Sequence, residues 1–249
     1  MTLQDSADVV EHFTARARQY DESSRWCTDP EMMERVKALA APDPVAQMLD
    51  VACGTGLVSR AFRERAGRIV GVDLTPAMAE HSTRWLDQLL IGSAEALPFE
   101  DGAFDLTICR QGIQFMDAAA ATREMVRVTR PGGRVVLVNL CAYGEEDRDE
   151  YFEILRLRNP ARRVFFMPDD LGLLLSDARC RQVAVHYHVS SEDVAAWSEN
   201  GAITDARCER IRELYRNASP AFRRLHRVEF LDDGRIVDQM LFAIAVGIP

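Results

Sequence analysis

The feature that most constrains this chain is the alternation of short apolar runs with helical patterns between residues 45 and 140. Five of these runs have the length and composition of buried strands. They lie at residues 47–52, 68–73, 89–92, 105–110 and 134–140. Strands that alternate with helices predict a parallel sheet covered on both faces. Because such crossovers are right-handed, we expect a doubly wound, Rossmann-like α/β fold.

The flanking regions extend this core. Between the strands we predict helices at 57–66, at 76–86 with Thr75 as N-cap, and from Asp117 to 129. Residues 1–40 look helical, with a helix that opens at Asp29-Pro30 and is expected to pack on the sheet through Met33, Val36 and Ala40. Further helices are expected at 151–158, at 169–178, from Ser190 or Ser191, at 204–217 and from Ser219-Pro220. A strand is expected at 181–189, and a hairpin is expected at 228–231 and 236–246 around Asp233-Gly234.

The complete prediction is a mostly parallel seven-stranded sheet with antiparallel C-terminal strands and a helical insertion or cap. We interpret residues 1–249 as a single domain. Its parts are an N-terminal helical flap (1–44), a ligand-binding core (45–141), a mixed core and helical cap (142–226) and a C-terminal hairpin (227–249).

Charge and composition exclude several classes of protein. The formal net charge is −9, which disfavours nucleic acid and anionic membrane surfaces as partners. The arginine-rich stretch at 207–227 is interpreted as a solvated helix face. The N-terminus has no apolar leader, and the longest apolar run, 240–248, is too short to span a bilayer. The six cysteines are scattered, so we expect a reducing, cytoplasmic location. Lys37 is the only lysine, an arginine bias typical of high-GC bacteria.

The residues best suited to bind a ligand follow the first two core strands. The first strand runs into Asp50-Val51-Ala52-Cys53-Gly54-Thr55-Gly56, and the second ends at Asp73. Glycines let the backbone turn sharply and approach a ligand closely. An acid at the end of the second strand can accept both hydroxyls of a ribose. This pattern favours an adenosine-containing cofactor, although a structural glycine turn with an unrelated acid would look the same.

The type of cofactor depends on the residues around the glycines. A dinucleotide loop would place a third glycine where this chain has Ser59, a substitution that does not exclude NAD. Asp50 is more informative, because a carboxylate just before the loop suits a cationic ligand better than a pyrophosphate. A sulfonium and an amino-acid ammonium group both fit.

Four segments in order resemble the motif set of class I S-adenosylmethionine-dependent methyltransferases. They are LDVACGTGLVSR, VGVDLTPAM, GSAEALPFEDGAFDLTICRQGIQFM and TRPGGRVVLVNL, and the resemblance covers about residues 45–141. Within the class, the chain is most similar to the type 11 branch that includes quinone-ring C-methylating enzymes. The stretch after Tyr20-Asp21 departs from those quinone enzymes, so a quinone acceptor is not expected.

The resemblance implies S-adenosylmethionine as cofactor, with S-adenosylhomocysteine as product, and assigns residues to it. The expected cofactor-binding residues are Tyr20, Asp50, Ala52, Cys53, Gly54, Thr55, Gly56, Asp73, Leu74, Met78, Ser93, Ala94, Glu95, Arg110 and Gln111. Asp73 is expected to bind the ribose, Asp50 to help hold the ammonium group, and Tyr20 to close over the cofactor. Ser93 stands where the family usually has an aspartate that reaches the adenine amino group.

The acceptor site and the catalytic base are less constrained. Gln111, Gln114 and Phe115 follow the fourth strand at its ligand end and are the preferred candidates for contacts to the acceptor, and Tyr143 is another. Phe166 could line an apolar acceptor pocket, although core packing is the more common role of such a residue. His12, His226 and Tyr143 are weak candidates for a catalytic base. His186 and His188 share one face of a strand, but no third ligand is identifiable, so we expect no metal.

The predicted function is in-line methyl transfer to a small molecule. We expect this acceptor to be an aromatic compound or a secondary metabolite. The accepting atom, O, N or C, stays open. We expect a monomer or homodimer with no nucleic-acid or membrane partner. The alternatives are an NAD-dependent oxidoreductase and a non-catalytic, cofactor-binding partner subunit or regulator. A nucleic-acid methyltransferase would need residues 207–227 to form a basic groove.

Overall fold

The computed structural model describes residues 3–22, 25–40 and 44–249 of the chain. Its helices are α1 Leu3–Arg16, α2 Pro30–Ala40, α3 Leu57–Phe62, α4 Pro76–Ala79, α5 Ala118–Val128, α6 Arg148–Arg158, α7 Asp170–Asp177, α8 Val194–Ser198, α9 Asp205–Arg216 and α10 Pro220–Leu225. Its strands are β1 Val45–Val51, β2 Ala66–Asp73, β3 Gln88–Ile91, β4 Phe104–Arg110, β5 Thr129–Leu140, β6 Arg181–Asp193, β7 Glu229–Phe230 and β8 Ile236–Ile248. Short 3-10 helices lie at Ala17–Glu22, Arg25–Cys27, Glu80–Trp85 and Ile113–Phe115.

All described strands belong to one sheet. Its order is β3-β2-β1-β4-β5-β8-β6, and the two-residue β7 pairs with β8. Strands β1 to β5 pair in parallel, whereas β8 is antiparallel to β5 and β6. This confirms the predicted doubly wound α/β fold. The strand order reverses between β1 and β4, and open sheets of this kind bind ligands at that point, beyond the carboxyl ends of the strands.

Both faces of the sheet are covered, which explains why its central strands are apolar throughout. Adjacent residues Met48 and Leu49 of β1 point to opposite faces and are both fully buried. One face packs against α2 and α6, and the other packs against α5 and α7. Burying a side chain of this size stabilises the fold by about 1.5–3 kcal/mol. The core therefore lies in two layers with the sheet between them.

Helix α2 begins at Pro30 as predicted, but its buried stripe differs by one residue. Met32, Val36 and Ala40 are buried, while Met33 is partly buried and packs against the same core cluster. The Asp29 carboxylate accepts hydrogen bonds from the backbone N–H groups of Glu31 and Met32. These bonds fix the start of the helix.

Two predicted helices in the core are shorter than expected. The helix predicted at 57–66 ends at Phe62, because Ala66 already pairs with Val45 as the first residue of β2. The helix predicted at 76–86 is α4 followed by a 3-10 helix. Thr75 precedes it in an extended conformation, but its side chain makes no capping hydrogen bond. Local composition did not reveal where helical hydrogen bonding gives way to sheet pairing.

The prediction of a helix from Ser190 or Ser191 was wrong. Both residues lie in β6, which continues along β8 as far as Asp193. The helix begins at Val194, where the Asp193 carboxylate accepts hydrogen bonds from Ala195 and Ala196. Pairing with the long strand β8 therefore overrides the local capping signal of the serines.

Other start signals are confirmed. The side chains of Asp117, Thr204 and Ser219 accept hydrogen bonds at the N-termini of α5, α9 and α10. The C-terminal hairpin is also present, with Gly234 in the left-handed region that its turn requires. Among the residues that the structure describes, no helix has both the length and the apolar character needed to cross a bilayer.

Candidate functional site

A cavity of about 870 Å³, counting the part open to solvent, lies where the strand order reverses. We call it the main cavity. Its lining includes these residues predicted to bind the cofactor or acceptor: Tyr20, Asp50, Ala52, Cys53, Gly54, Thr55, Asp73, Leu74, Met78, Ser93, Ala94, Arg110, Gln111 and Phe115. Residues far apart in the sequence therefore meet at one opening.

The backbone is strained where β1 and β4 enter the main cavity. Ala52 follows β1 with φ of 54°, and Gln111 follows β4 with φ of 56°. Residues other than glycine rarely adopt positive φ, and such strain concentrates at functional sites. Gly54 has φ of 51°, so the loop after β1 turns sharply beside the opening. The two strand ends thus hold their backbone close to any ligand.

Asp73 ends β2 on the wall of the main cavity. Its Oδ2 accepts a 2.8 Å hydrogen bond from Gly54 N, and its Oδ1 accepts one of 2.8 Å from Thr75 N. Burial raises the pKa of Asp73, while these backbone hydrogen bonds act in the opposite direction. An ionised carboxylate has about four acceptor positions, so two remain for ligand hydroxyls.

Asp50 is almost wholly buried at the base of the main cavity. Its Oδ2 accepts hydrogen bonds from the backbone N–H and the hydroxyl of Ser59, at 3.1 and 2.5 Å. Burial raises the pKa of Asp50 to about 7, against the effect of those hydrogen bonds. Asp50 therefore ties β1 to α3 and is only partly ionised at neutral pH. Its expected role toward an ammonium group stays a prediction.

The N-terminal elements contribute to the lining of the main cavity. Thr55 Oγ1 in the glycine loop donates a 2.5 Å hydrogen bond to Asp21 Oδ1. The Phe13 and Phe115 rings meet edge to face, with centroids 4.8 Å apart. Sequence reasoning identified Tyr20 here but missed Phe13 and Trp26. Val9 and Phe13 are four residues apart and therefore lie on one face of α1. This apolar spacing was the signal that could have placed α1 at the site.

The described residues of the main cavity fit an adenosine-type ligand that carries an amino acid. Asp73 offers acceptor positions to a ribose, and Leu74 and Met78 form an apolar wall. Trp26 Nε1 and Gln111 Nε2 are buried donors without a hydrogen-bond partner among the described residues. Donors of this kind suit a ligand carboxylate. The site therefore offers acceptor positions for a ribose, an apolar wall and buried donors for a carboxylate, and Ser93 belongs to the same lining.

A second, smaller cavity of about 360 Å³ adjoins the main cavity. We call it the arginine pocket, because Arg16, Arg158 and Arg162 line it. It shares five lining residues with the main cavity, namely Phe13, Tyr20, Trp26, Gln111 and Phe115. The structure thus brings together three of the predicted acceptor contacts: Gln111 and Phe115 line both cavities, and Gln114 lines the arginine pocket. Sequence reasoning gave no signal for Arg158 and Arg162.

Six other predicted site residues line neither cavity: His12, Gly56, Glu95, Tyr143, Phe166 and His226. Phe166 belongs to the core on the α7 face, and the Tyr143 hydroxyl donates to the Gln239 carbonyl at 2.7 Å. Glu95 Oε1 accepts a 2.7 Å hydrogen bond from Asp117 N. Their roles toward a cofactor or acceptor stay predictions.

Neither histidine candidate for the base lies at an opening. Burial, reinforced by Arg16, lowers the pKa of His12 to about 3, so its imidazole is neutral and weakly basic at neutral pH. His226 is fully buried between Asp147 and Asp238. The identity of any catalytic base therefore stays a prediction.

His188, one of the two histidines on β6, contacts an acid at the start of α2. His188 Nε2 lies 3.0 Å from Asp29 Oδ2, which also accepts a 2.9 Å hydrogen bond from the Ser190 hydroxyl. This contact joins β6 to the start of α2. Within residues 3–22, 25–40 and 44–249, no group of three or more His, Cys, Asp or Glu side chains could hold a metal ion.

Gly112 provides a test of how tightly the two strand ends pack. A Cβ at Gly112 would lie 2.4 Å from Ala52 Cβ, whereas one at Gly144 would meet nothing within 4 Å. We expect Gly112→Ala to lower the free energy of unfolding by about 1–3 kcal/mol, as overpacking does elsewhere. Gly144→Ala should leave it nearly unchanged. Urea denaturation of both variants measures the difference, and equal midpoints would contradict the close approach.

Comparison with known proteins agrees with this geometry. Residues 49–137 match the sequence profile of a family described as "Methyltransferase domain". The chain is 34% identical over 137 residues to a malonyl-[acyl-carrier protein] O-methyltransferase of Serratia marcescens, covering 54% of this chain and 53% of that protein. It is 28% identical over 212 residues to a chloroplastic tocopherol O-methyltransferase of Arabidopsis thaliana, covering 77% and 55% of the two chains. These alignments span about half the length of each relative.

The fold has solved counterparts. The crystal structure of the YcgJ protein of Bacillus subtilis superposes with a TM-score of 0.78 at 24% identity, covering 88% of this chain and 97% of that one. At 24% identity, the superposition supports a shared fold only, and the chemistry is argued from the residues of the site. The superposition nevertheless extends well beyond residues 49–137, so the shared architecture includes elements outside the matched profile.

Proposed function

We propose that the chain is a class I S-adenosylmethionine-dependent methyltransferase and that it transfers a methyl group to a small-molecule acceptor. The observation that carries the proposal is Asp73, whose carboxylate lines the main cavity with both oxygens oriented by backbone N–H groups. That arrangement offers a negatively charged acceptor for ribose hydroxyls at the switch point of the sheet. We also propose that residues 1–249 act as one domain, as a monomer or homodimer.

When bound, S-adenosylmethionine supplies an electrophilic methyl group on a sulfonium. Held by Asp73, Leu74 and Met78, it would give its methyl to the acceptor atom, and the electron pair of the sulfur–methyl bond would stay on sulfur. The protein's part is to place the acceptor in line behind the methyl and to exclude water. Phe13, Trp26 and Phe115 provide apolar surface at the junction of the two cavities for that purpose.

The proposed acceptor is a small molecule that reaches the main cavity through the arginine pocket. Aromatic walls favour an acceptor with a flat or apolar body. The relatives act on different acceptors, a malonyl-acyl-carrier protein and a tocopherol by their names, so homology leaves the acceptor class open. A proton released by an O, N or C nucleophile would pass to solvent or to a base, for which this proposal names no residue.

Calorimetric titration of the purified protein tests the proposal. We expect micromolar binding of S-adenosylmethionine and S-adenosylhomocysteine and no binding of NAD. Tritium from methyl-labelled S-adenosylmethionine should then appear in an acceptor taken from a panel of small aromatic compounds. A preference for NAD would support the oxidoreductase alternative. Cofactor binding without methyl transfer to any acceptor, protein partners included, would favour a non-catalytic subunit.

A further inference from the structure

Three buried amide side chains are joined by hydrogen bonds beside the junction of the two cavities. Asn139 Nδ2 donates to Gln114 Oε1 at 2.6 Å, and Gln114 Nε2 donates to Gln111 Oε1 at 3.1 Å. We call this row the amide relay. Asn139, Gln114 and Gln111 are 0%, 2% and 7% exposed. Gln114 lines the arginine pocket and Gln111 lines both cavities, so the relay runs from the interior of the sheet to the ligand site.

The direction of the amide relay is fixed by two neighbours that cannot reverse their roles. An amide donates from its nitrogen and accepts at its oxygen, whereas a guanidinium only donates and a carbonyl oxygen only accepts. The Arg162 guanidinium donates to Asn139 Oδ1 at 3.3 Å. The Gln111 carbonyl oxygen accepts a 3.0 Å hydrogen bond from Gln114 Nε2. Exchanging the oxygen and nitrogen of Asn139 or Gln114 would bring donor against donor and acceptor against acceptor, so each amide has one orientation.

The amide relay leaves one donor unused at its cavity end. Because Gln111 Oε1 accepts from Gln114, the Gln111 amide presents its nitrogen on the other side. Gln111 Nε2 is buried and has no hydrogen-bond partner among the described residues. The Gln111 backbone is held as well, since its N–H donates to the Val138 carbonyl oxygen at 2.9 Å. Buried donors are normally paired, so one that is held in place and unpaired indicates a ligand atom that accepts a hydrogen bond.

Further unpaired donors lie on the side of the arginine pocket. Asn159 Nδ2 and Trp197 Nε1 are buried without a partner in the described part of the chain, and their residues line that pocket but not the main cavity. A ligand that enters through the arginine pocket therefore meets donors before it reaches Gln111. In the proposed function that ligand is the methyl acceptor, so the oxygen opposite Gln111 is assigned to it rather than to the cofactor.

We propose that Gln111 Nε2 donates a hydrogen bond to an oxygen of the methyl acceptor and thereby selects acceptors with a carbonyl or other non-donating oxygen at that position. Gln114 is the positioning residue, because it holds the Gln111 amide with its nitrogen toward the ligand. Asn139 and Arg162 act through Gln114 in turn. The inference rests on the proposed methyltransferase function and adds a chemical requirement on its substrate.

The first test compares two probes that differ in one group, with full-length protein saturated with S-adenosylhomocysteine. Acetophenone carries a carbonyl oxygen, and α-methylstyrene has a methylene group in its place and nearly the same shape. We expect wild-type protein to bind acetophenone about tenfold or more tightly than α-methylstyrene, which would leave the buried donor unpaired. Ligand-observed NMR titration measures both dissociation constants. This comparison needs no variant, so it does not depend on whether a substituted protein folds.

Two substitutions then locate the donor and its positioning residue. Gln111→Glu keeps an oxygen that accepts from Gln114 and replaces only Nε2, by a second oxygen. We expect it to remove the preference, so that the ratio of the two dissociation constants falls to about one or below. Gln114→Met removes the group that orients the Gln111 amide and should lower the ratio about threefold or more. General loosening of the site would weaken both probes alike and leave their ratio unchanged.

Gln239→Glu is the matched control. Gln239 Nε2 also donates a hydrogen bond to a side chain, Ser191 Oγ at 3.1 Å, but Gln239 lines neither cavity. Its substitution should leave both the preference for acetophenone and the affinity for S-adenosylhomocysteine as in wild type. Titration of Gln111→Glu with S-adenosylhomocysteine alone tests the other source of an oxygen, the carboxylate of the cofactor. We expect that affinity to fall by less than the roughly tenfold loss of a hydrogen bond to a charged group.

The outcomes separate this proposal from the one beneath it. If S-adenosylhomocysteine binds but wild-type protein binds the two probes equally, or binds neither, the assignment of Gln111 is wrong and the methyltransferase function stands. A preference for acetophenone that survives Gln111→Glu would also overturn it. Equal probe binding together with a tenfold loss of S-adenosylhomocysteine in Gln111→Glu would give the oxygen to the cofactor instead. If wild-type protein binds no S-adenosylhomocysteine, the proposed function itself fails.

Discussion

Asp73→Ala is expected to weaken the binding of S-adenosylhomocysteine by at least about a hundredfold. A hydrogen bond to a charged group contributes about 1.5–3 kcal/mol, and the carboxylate has two acceptor positions left for two ribose hydroxyls. Because 1.4 kcal/mol is a factor of ten, losing both bonds gives at least that ratio. The substitution also removes the acceptors of Gly54 N and Thr75 N, which adds to the loss by loosening the loop.

Asp105→Ala is the matched control for Asp73. Asp105 also accepts a backbone hydrogen bond, from Gln47 N at 2.7 Å, and lies in the same sheet, two strands away from β2. It sits at the start of β4 and does not line the main cavity. We expect the two substitutions to lower the free energy of unfolding by similar amounts. Asp105→Ala should leave the affinity for S-adenosylhomocysteine unchanged. Calorimetry and thermal denaturation of both variants measure this, and unchanged affinity in Asp73→Ala would contradict the assignment.

The core of the fold was predictable because its signals are local. Each of β1, β2, β4 and β5 is an apolar run bounded by turn residues, and a parallel sheet requires such runs to be buried on both faces. Asp73 followed from the same logic, since the end of the second strand has a fixed place beside the first. These predictions depend on spacing along the chain alone.

The second cavity was not predictable, because no local pattern distinguishes its residues. Arg158 is the last residue of a helix with arginines at 156 and 158, and only the packing of Trp197 and α1 around it makes it buried. In sequence, Arg156 and Arg158 look alike. The same limit explains why Ser190 was placed in a helix, since its pairing partner Met240 lies fifty residues away.

His226 illustrates how a residue that looked catalytic acquires another role through packing. Its Nε2 lies 2.9 Å from Asp147 Oδ2 and its Nδ1 lies 2.8 Å from Asp238 Oδ1, with all three side chains fully buried. The ring stacks on Phe222 at a centroid distance of 4.0 Å. Asp238 also accepts a 2.6 Å hydrogen bond from the Tyr215 hydroxyl. This network joins α6, α9 and α10 to β8, so we expect it to hold the helical cap on the sheet.

His226→Gln is expected to lower the free energy of unfolding by about 3–5 kcal/mol at pH 6. Removing one partner of a buried ion pair leaves uncompensated charge behind, and that is the usual cost. His81→Gln is the control, because His81 is exposed and should change stability by less than about 0.5 kcal/mol. Urea denaturation followed by circular dichroism measures both variants. A loss in His226→Gln no larger than in His81→Gln would contradict a charged network.

The pH dependence of the same variants tests whether His226 is charged. Burial alone would lower its pKa, but Asp238 and Asp147 outweigh burial and raise the pKa to about 9 from an ordinary value of 6.5. A raised pKa means that the folded state binds the proton more tightly, so the contribution is complete below pH 6.5 and is lost as pH rises through 9. It amounts to about 3 kcal/mol, since each pKa unit is worth about 1.36 kcal/mol. The stability of His226→Gln should therefore approach that of wild type between pH 6.5 and 9.5. A constant difference across that range would show that His226 is neutral, and that the network holds the cap by hydrogen bonds and stacking alone.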